Sequence, residues 1–443
     1  VGRGKFVYMK WTIHTSDCLE KLREMRDGEF DAVLCDPPYG LKFMGKAWDH
    51  GVPSVEVWSE VQRVLKPGAH LLAFGGTRTF HRLTCAIEDA GFEVRDCLMW
   101  LYGSGFPKSM DISKALDKEA GAQREVLGMD LARAARLGNQ VDAEADGRVG
   151  RGPRDIMITA PVTDAAKTWN GYGTALKPAW EPCIVAMKPL DGTFAENALR
   201  HGVAGINVEA GRVESGSDYH TLQVIQGGDH FSIGSGEKTR GTTFAPAAGR
   251  WPANLILDAE AAESLDAQTG TLKSGLLPSH QVNRTSLNAY GGGWAKGDET
   301  GRIWGGDSGG ASRFFYCAKA SRRERDAGLD GFEAKTPRGI DGGDNAVGGG
   351  RGSLSGPQRN HHPCLKPLDL NRYLASLILP PKRDTPRRIL VPFSGSGSEM
   401  IGCLLSGWDE VVGIEKEQEY CDIANARLNH WCKNEKGLFE NGW

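Results

Sequence analysis

Asp36-Pro37-Pro38-Tyr39 places a short carboxylate, two backbone-stiffening prolines and an aromatic ring directly after the apolar run Ala32 to Cys35. These groups suit the exocyclic amino group of a nucleobase. The Asp36 carboxylate and the Pro37 carbonyl can accept its two hydrogens, Pro38 stiffens the turn, and Tyr39 offers a stacking face. An amino nitrogen conjugated with its ring is poorly nucleophilic, so a site that alkylates it must localise the lone pair and hold the electrophile in line. A second cluster, Phe393-Ser394-Gly395-Ser396-Gly397-Ser398, follows a short apolar strand expected over Arg388 to Pro392. Glycines in a strand-loop-helix turn let the backbone approach an adenosyl ligand closely, and the helix that starts there aims its positive end at the ligand. Glu415 ends the next expected strand, where a carboxylate can accept ribose hydroxyls. Together the clusters imply methyl transfer to nucleic acid by direct displacement, with no covalent enzyme intermediate and no metal.

The elements that must position these groups alternate in type. Strands are expected at Lys10 to His14, Ala32 to Cys35, His70 to Phe74, Glu93 to Trp100, Cys183 to Met187 and Glu410 to Glu415. Helices are expected at Asp17 to Asp27, Val55 to Leu65, Arg78 to Asp89, Leu368 to Leu379 and after Gly397. The break after the second helix is assigned to Lys66-Pro67-Gly68. Alternation of this kind builds an open, doubly wound α/β sheet with active residues at the carboxyl ends of its strands. Residues 1–8 precede Met9 and are expected to be a non-structural extension. Residues 9–110 then form the catalytic half, 111–173 a charged, glycine-broken mobile insert in which Ile112 to Leu127 can form a polar helix, and 174–191 a strand completing that half. A loop-rich recognition region over 192–357, a cofactor-binding half over 358–432 and a tail over 433–443 complete the division.

The chain has 443 residues, more than one core usually supports, and its 40% apolar content suits a soluble globular protein. Glycine, at 59 residues, is in clear excess, much of it between Gly227 and Gly356 where long loops are expected. A formal charge of −3 excludes a uniformly basic coat, so nucleic-acid contact must use a local positive groove. The ten cysteines are scattered, with no Cys-x-x-Cys pair and no secretory segment, which suggests reduced thiols in a cytoplasm. His361-His362 has no partners at zinc-ligand spacing, so no metal site is expected.

The order of Asp-Pro-Pro-Tyr, a variable region and the glycine loop resembles the β group of DNA amino-methyltransferases, the adenine-N6 and cytosine-N4 enzymes. The segments Gly45 to His50 and Gly103 to Ser109 resemble phage and prophage members, which are site-specific DNA methyltransferases. The resemblance implies a Rossmann-like, doubly wound sheet that uses S-adenosylmethionine, with a target-recognition region inserted between catalytic and cofactor motifs. It assigns Asp36, Pro37, Pro38 and Tyr39 to catalysis on a flipped base. To the cofactor it assigns Asp17 and Cys18 at the end of the first strand, Phe393, Ser394, Gly395, Ser396, Gly397 and Ser398 in the loop, Glu415, and Lys366 in His362-Pro363-Cys364-Leu365-Lys366-Pro367. Asp17 also suits a helix N-cap. DNA is the implied partner, and a homodimer is plausible only by analogy with the family.

Two positions depart from the family pattern. Val391 stands where an acid is usual, which implies weaker cofactor binding or a substitute polar group elsewhere, and Ser398 replaces a common threonine. An aspartate opening the first motif leans towards adenine N6, with cytosine N4 as the alternative. Trp48 can form a second wall of the base pocket or lie in the core. Phosphate contact is open to Arg313, Arg322, Arg323 and Arg325, and to Lys382-Arg383 with Arg387-Arg388, although each cluster also suits a solvated face. Nothing resembles a nuclease motif. A protein of this fold that binds DNA or cofactor without transferring methyl is a further alternative, while a nicotinamide oxidoreductase leaves Asp-Pro-Pro-Tyr unexplained.

Overall fold

The computed structural model describes residues 10–41, 51–103, 105, 109–129, 157–214, 220–223, 243–246, 249–273, 308–318, 324–335, 358–362 and 365–433. The chain divides into two compact units, one of residues 1–103, 180–328 and 364–443, the other of residues 104–179 and 329–363.

The first unit is built on a nine-stranded sheet. Its strands are β1 (Lys10–Thr15), β2 (Phe30–Cys35), β3 (Leu65–Phe74), β4 (Glu93–Leu101), β5 (Trp180–Met187), β6 (Leu255–Asp258), β7 (Tyr316–Ala318), β8 (Arg388–Val391) and β9 (Glu410–Glu415). They lie in the order β1-β9-β8-β2-β3-β5-β4-β6-β7. All neighbours pair in parallel except β5, which runs antiparallel to both β3 and β4. The helices of this unit are α1 (Cys18–Glu24), α2 (Val55–Val64), α3 (Phe80–Asp89), α4 (Phe194–His201), α5 (Ala259–Thr269), α6 (Leu368–Leu377), α7 (Ser398–Leu405) and α8 (Gln418–Lys433).

Every residue of β2 is buried, as a central parallel strand covered on both faces requires. Period-two alternation sends Ala32 and Leu34 into one core layer with Leu370, Leu374, Ile389 and Val391. Val33 and Cys35 enter another layer with Trp58, Val61, Leu83 and Leu390. α6 and α7 pack so closely that a Cβ on Gly402 would lie 2.5 Å from Asn371 Cβ, which reserves this position for glycine. Because β8 leads into its helix towards β9 on one side, and β2 leads towards β3 on the other, the order reverses between β8 and β2. Open α/β sheets bind ligands at such a point, beyond the strand carboxyl ends.

The expected elements recur with shifted boundaries, and two differences are instructive. β3 begins at Leu65 and runs through Lys66-Pro67-Gly68, where a break was expected. A register shift between Phe30 and Ala32 of β2 absorbs the irregular residues, the Asn197 side chain donates to the Pro67 carbonyl at 2.9 Å, and Gly68 takes φ 73°. In the second unit, the segment expected to be a mobile insert carries a helix (Ile112–Glu119), an antiparallel hairpin (Val126–Met129 with Met157–Thr159) and a short helix (Asp164–Thr168). Buried Asp117 explains how so polar a segment folds: it accepts from Val162 N, Thr163 N and Thr163 Oγ1 at 3.0, 3.0 and 2.8 Å and pairs with Arg124. This unit also takes in residues 329–363, which the sequence had assigned mainly to the recognition region. Among the described residues no helix is long and apolar enough to cross a membrane.

At the amino ends of the central strands, Asp31 is buried and binds Lys66 Nζ at 2.6 Å, Arg383 Nη2 at 2.5 Å and Arg388 N at 2.8 Å. It ties β2, β3 and β8 together through one carboxylate. Replacement by alanine strands two cations and a backbone donor, so Asp31→Ala should lower stability by about 3 kcal/mol in urea denaturation.

Candidate active site at the strand carboxyl ends

The glycine loop leaves β8 at Val391 and enters α7. Its backbone is bent by Phe393, which holds φ 114°, and by Gly395 and Gly397 at φ 51° and 82°. Both Phe393 N and Ser394 N donate to the Ile414 carbonyl, at 3.1 and 2.9 Å, which fastens the loop to β9. A Cβ on Gly397 would sit 3.0 Å from Ala424 Cβ, so this turn also depends on glycine for space. Arg427 of α8 is fully buried beneath the loop and donates to Ser396 O, Ser396 Oγ and Ser398 Oγ at 2.6, 3.2 and 3.1 Å. Burial lowers its pKa to about 10, opposed by Glu399 and Glu324.

Glu415, at the carboxyl end of β9, accepts from Gly395 N at 2.8 Å and Glu417 N at 2.9 Å. Burial pushes its carboxyl above the usual range against these bonds. Beside it, Ser16 N donates to the Glu415 carbonyl at 2.9 Å. The next residue, Asp17, caps α1 through Leu19 N at 3.0 Å and lies 3.3 Å from Lys416 Nζ. Burial, then Asp17 and Glu415, push the Cys18 thiol up. Asp17, Glu415 and the glycine loop thus end three neighbouring strands, β1, β9 and β8, and the turn after β2 comes next in line.

In that turn the Tyr39 hydroxyl donates to Asp36 Oδ1 at 2.7 Å, and Lys366 Nζ donates to Asp36 Oδ2 at 2.7 Å and to the Tyr39 oxygen at 3.1 Å. Glu181 of β5 puts Oε2 3.3 Å from both the Tyr39 hydroxyl and Lys366 Nζ. The lysine also lies 4.8 Å from the Phe74 ring centroid and 5.4 Å from that of Tyr39. Burial and then Asp36 hold the Tyr39 hydroxyl far above its usual pKa, so it stays protonated. Residues 30–120, which include this turn, match the family model for DNA methylases of the N6/N4 type. The match covers this turn and the strands beside it but reaches neither Lys366 nor the glycine loop.

Similarity elsewhere is low. The type II methyltransferase M.HindIII of Haemophilus influenzae is 22% identical over 241 residues, 44% of this chain and 64% of the relative, so the match spans less than two thirds of that protein. Among solved structures, M1.HpyAVI is 12% identical with a TM-score of 0.35, covering 95% of this chain and 98% of that one. The cytosine-N4-specific PvuII DNA methyltransferase is 10% identical with a TM-score of 0.40, covering 97% and 94%.

The structure gathers Asp36, Tyr39, Lys366, the glycine loop, Glu415 and Asp17 along one end of the sheet. Lys366, expected at the cofactor, is bonded to Asp36 and Tyr39. Three groups around the site escaped sequence reasoning: Glu181 and Arg427 reach it from distant elements with no motif of their own, and Glu399, although it directly follows Ser398 of the glycine loop, has no local signal of its burial. Trp48, Arg322 and Arg323 lie outside the described residues, as does nearly all of the segment around Trp48. Arg313 donates to the Gly309 and Gly310 carbonyls at 2.9 and 2.7 Å and stacks 4.2 Å from the Phe314 ring centroid, so it braces its own turn. Arg325 has interactions of its own within the fold. In the second basic cluster Arg383, Arg387 and Arg388 pair with Asp31, Asp409 and the Glu29–Glu410 couple at the strand amino ends, opposite the Asp36 turn.

Glu399 of α7 is buried, and Asn371 Nδ2 lies 3.3 Å from its Oε1. Burial and then Asp36 raise its pKa to about 7, offset in part by Lys366. The Asn371 amide oxygen is itself buried without a hydrogen-bond partner among the described residues, and a protonated Glu399 carries the donor it lacks. Because the folded pKa exceeds the unfolded value of 4.5, the native state holds a proton that the unfolded chain releases, so stability falls as pH rises from about 4.5 to about 7 and levels off above, where both states are ionised. Glu399→Gln removes that loss. Thermal melting should show the variant to be more stable than wild type at about pH 8, by about 2–3 kcal/mol, and equal to it at about pH 4.5.

Proposed function

We propose that this protein transfers a methyl group from S-adenosylmethionine to the exocyclic amino nitrogen of a base in DNA, adenine N6 being the favoured target. The observation that carries the reading is the Asp36 carboxylate, fixed by Tyr39 and Lys366 at 2.7 Å each, one strand away from a glycine loop closed by Glu415. The arrangement fits an adenosyl ligand. The loop presents bare backbone at Gly395 and Gly397, Glu415 stands at the end of the adjoining strand where ribose hydroxyls would lie, and Asp17 follows the strand beyond. When bound, the cofactor supplies an electrophilic sulfonium methyl.

The protein's own contribution is positional and electrostatic. Asp36 and the Pro37 carbonyl accept hydrogens from the amino group, turning its lone pair out of conjugation and towards the methyl. Tyr39 packs against the apolar core, and its ring faces the ammonium of Lys366, so its orientation is fixed before a base arrives. A base inside a duplex cannot reach this turn, so it must be flipped out and stacked. An aspartate at the head of the turn favours adenine, and the cytosine-N4 reaction would use the same groups. The likeness to a DNA methylase family model over residues 30–120 supports the reading.

The decisive measurement is incubation with unmethylated DNA and S-adenosylmethionine, digestion to nucleosides and mass spectrometry. N6-methyladenine is the expected product. N4-methylcytosine would keep the mechanism and change the base, and absence of both in a protein shown to bind the cofactor would sink the proposal. Asp36→Ala should reduce product formation by at least about a thousandfold while cofactor affinity, read by calorimetry, stays within about threefold of wild type.

A further inference from the structure

We propose that Glu181, acting through the Tyr39 hydroxyl, carries away the proton that the methylated amino nitrogen must lose. The inference rests on the methyl-transfer reading above and concerns a step that the four-residue turn cannot complete by itself. When the nitrogen lone pair forms the new bond to the methyl carbon, the carbon–sulfur bond breaks with its electrons going to sulfur. The nitrogen is left cationic with one hydrogen too many. Asp36, which accepts that hydrogen, is only 13% exposed, so the proton needs an onward path.

Among the described residues two side chains bind the Asp36 carboxylate: Lys366 at Oδ2 and Tyr39 at Oδ1. A lysine ammonium is a donor only and cannot take up a proton, whereas a phenol hydroxyl both accepts and donates. The path from Asp36 therefore runs through Tyr39. Beyond Tyr39 stands Glu181 Oε2 at 3.3 Å, and its side chain, 25% exposed, is more open to solvent than Asp36. The transfer balances: Asp36 Oδ1 returns the substrate proton to the Tyr39 oxygen as the tyrosine's own hydrogen passes to Glu181, which releases it to water. No tyrosinate need form, consistent with a hydroxyl whose pKa burial and Asp36 hold far above the usual value.

The placement of Glu181 follows from the reversed strand. β5 runs antiparallel to β3, pairing Cys183 with Phe74, so its first residues lie beside the carboxyl end of β3 while the rest lead away from the site. Lys366 Nζ, 3.3 Å from Glu181 Oε2, orients the acceptor carboxylate without entering the path. Among the described residues, the other ionisable groups near this chain are Tyr102 beyond β4, raised to about 12 by burial and then Glu181, Glu399 on α7 next to Asp36, and the thiols of Cys35 and Cys183, both pushed up by burial. None of them bridges Asp36 to solvent in the described residues.

Glu181→Gln preserves an acceptor for Tyr39 but cannot take up a proton, which separates relay from structure. With DNA and S-adenosylmethionine, the variant should lose about tenfold or more in kcat, with the cofactor Kd unchanged. Added formate, a small proton acceptor, should restore part of the rate in the variant and leave wild type unaffected, and Glu181→Asp should retain more activity than Glu181→Gln. A wild-type kcat in Glu181→Gln, or a loss that appears as weaker cofactor or DNA binding and ignores formate, would overturn the relay. If wild type itself yields no methylated base, the methyl-transfer reading falls first. Product from wild type with an unimpaired Glu181→Gln removes the relay alone.

Discussion

The pairing of β8 with β2 is the contact on which the site depends. Ile389 faces Ala32 and Leu390 faces Val33, so a strand from the end of the chain lies parallel to one from its beginning. Both strands end at the same edge of the sheet, and each opens into the turn that carries its chemistry. The order reverses there, the point at which open α/β sheets bind ligands beyond the strand ends. Leu390 and Val33 share one core layer, and Ile389 and Ala32 the other, so the packing that stabilises the sheet also fixes the distance between the two turns. A one-residue slip in this register would turn every one of these side chains to the opposite face.

Charge is distributed unevenly between the two ends of the sheet. At the strand amino ends, arginines and a lysine meet carboxylates in closed pairs around Asp31, Asp409, Glu29 and Glu410, and the arrangement is structural. At the carboxyl ends, one lysine faces three carboxylates, Asp36, Glu181 and Glu399, with Tyr39 among them. A buried surplus of acids is costly and is relieved when one of them holds a proton, as burial and Asp36 dictate for Glu399 near neutral pH. The surplus thus sits where the proposed reaction has the hydrogens of an amino group accepted and where the proposed relay moves a proton.

Asp36 and Tyr39, the glycine loop and Glu415 were legible because each follows a short apolar strand and carries a local pattern of its own. The boundaries were less so. Lys66-Pro67-Gly68 reads as a break, and only a bulge against β2 and the Asn197 amide explain how β3 continues through it. Lys382-Arg383 and Arg387-Arg388 read as a basic cluster open to phosphate or solvent, yet Arg383, Arg387 and Arg388 meet carboxylates supplied by other strands and turns. The second unit looked too polar to fold, because the burial of Asp117 among backbone donors and Arg124 leaves no local trace.

By itself the sequence determined the alternating α/β architecture, the two turns and the chemistry each can support, since strand periodicity and glycine or proline placement act over a few residues. The tertiary structure decided which groups share the site with them. Lys366 binds Asp36 across the length of the chain, Glu181 reaches Tyr39 because β5 runs against its neighbours, and Arg427 braces the loop from the last helix. These contacts join residues tens to hundreds of positions apart. Strand order and direction set them, through sheet pairing and core packing that no single stretch of sequence contains.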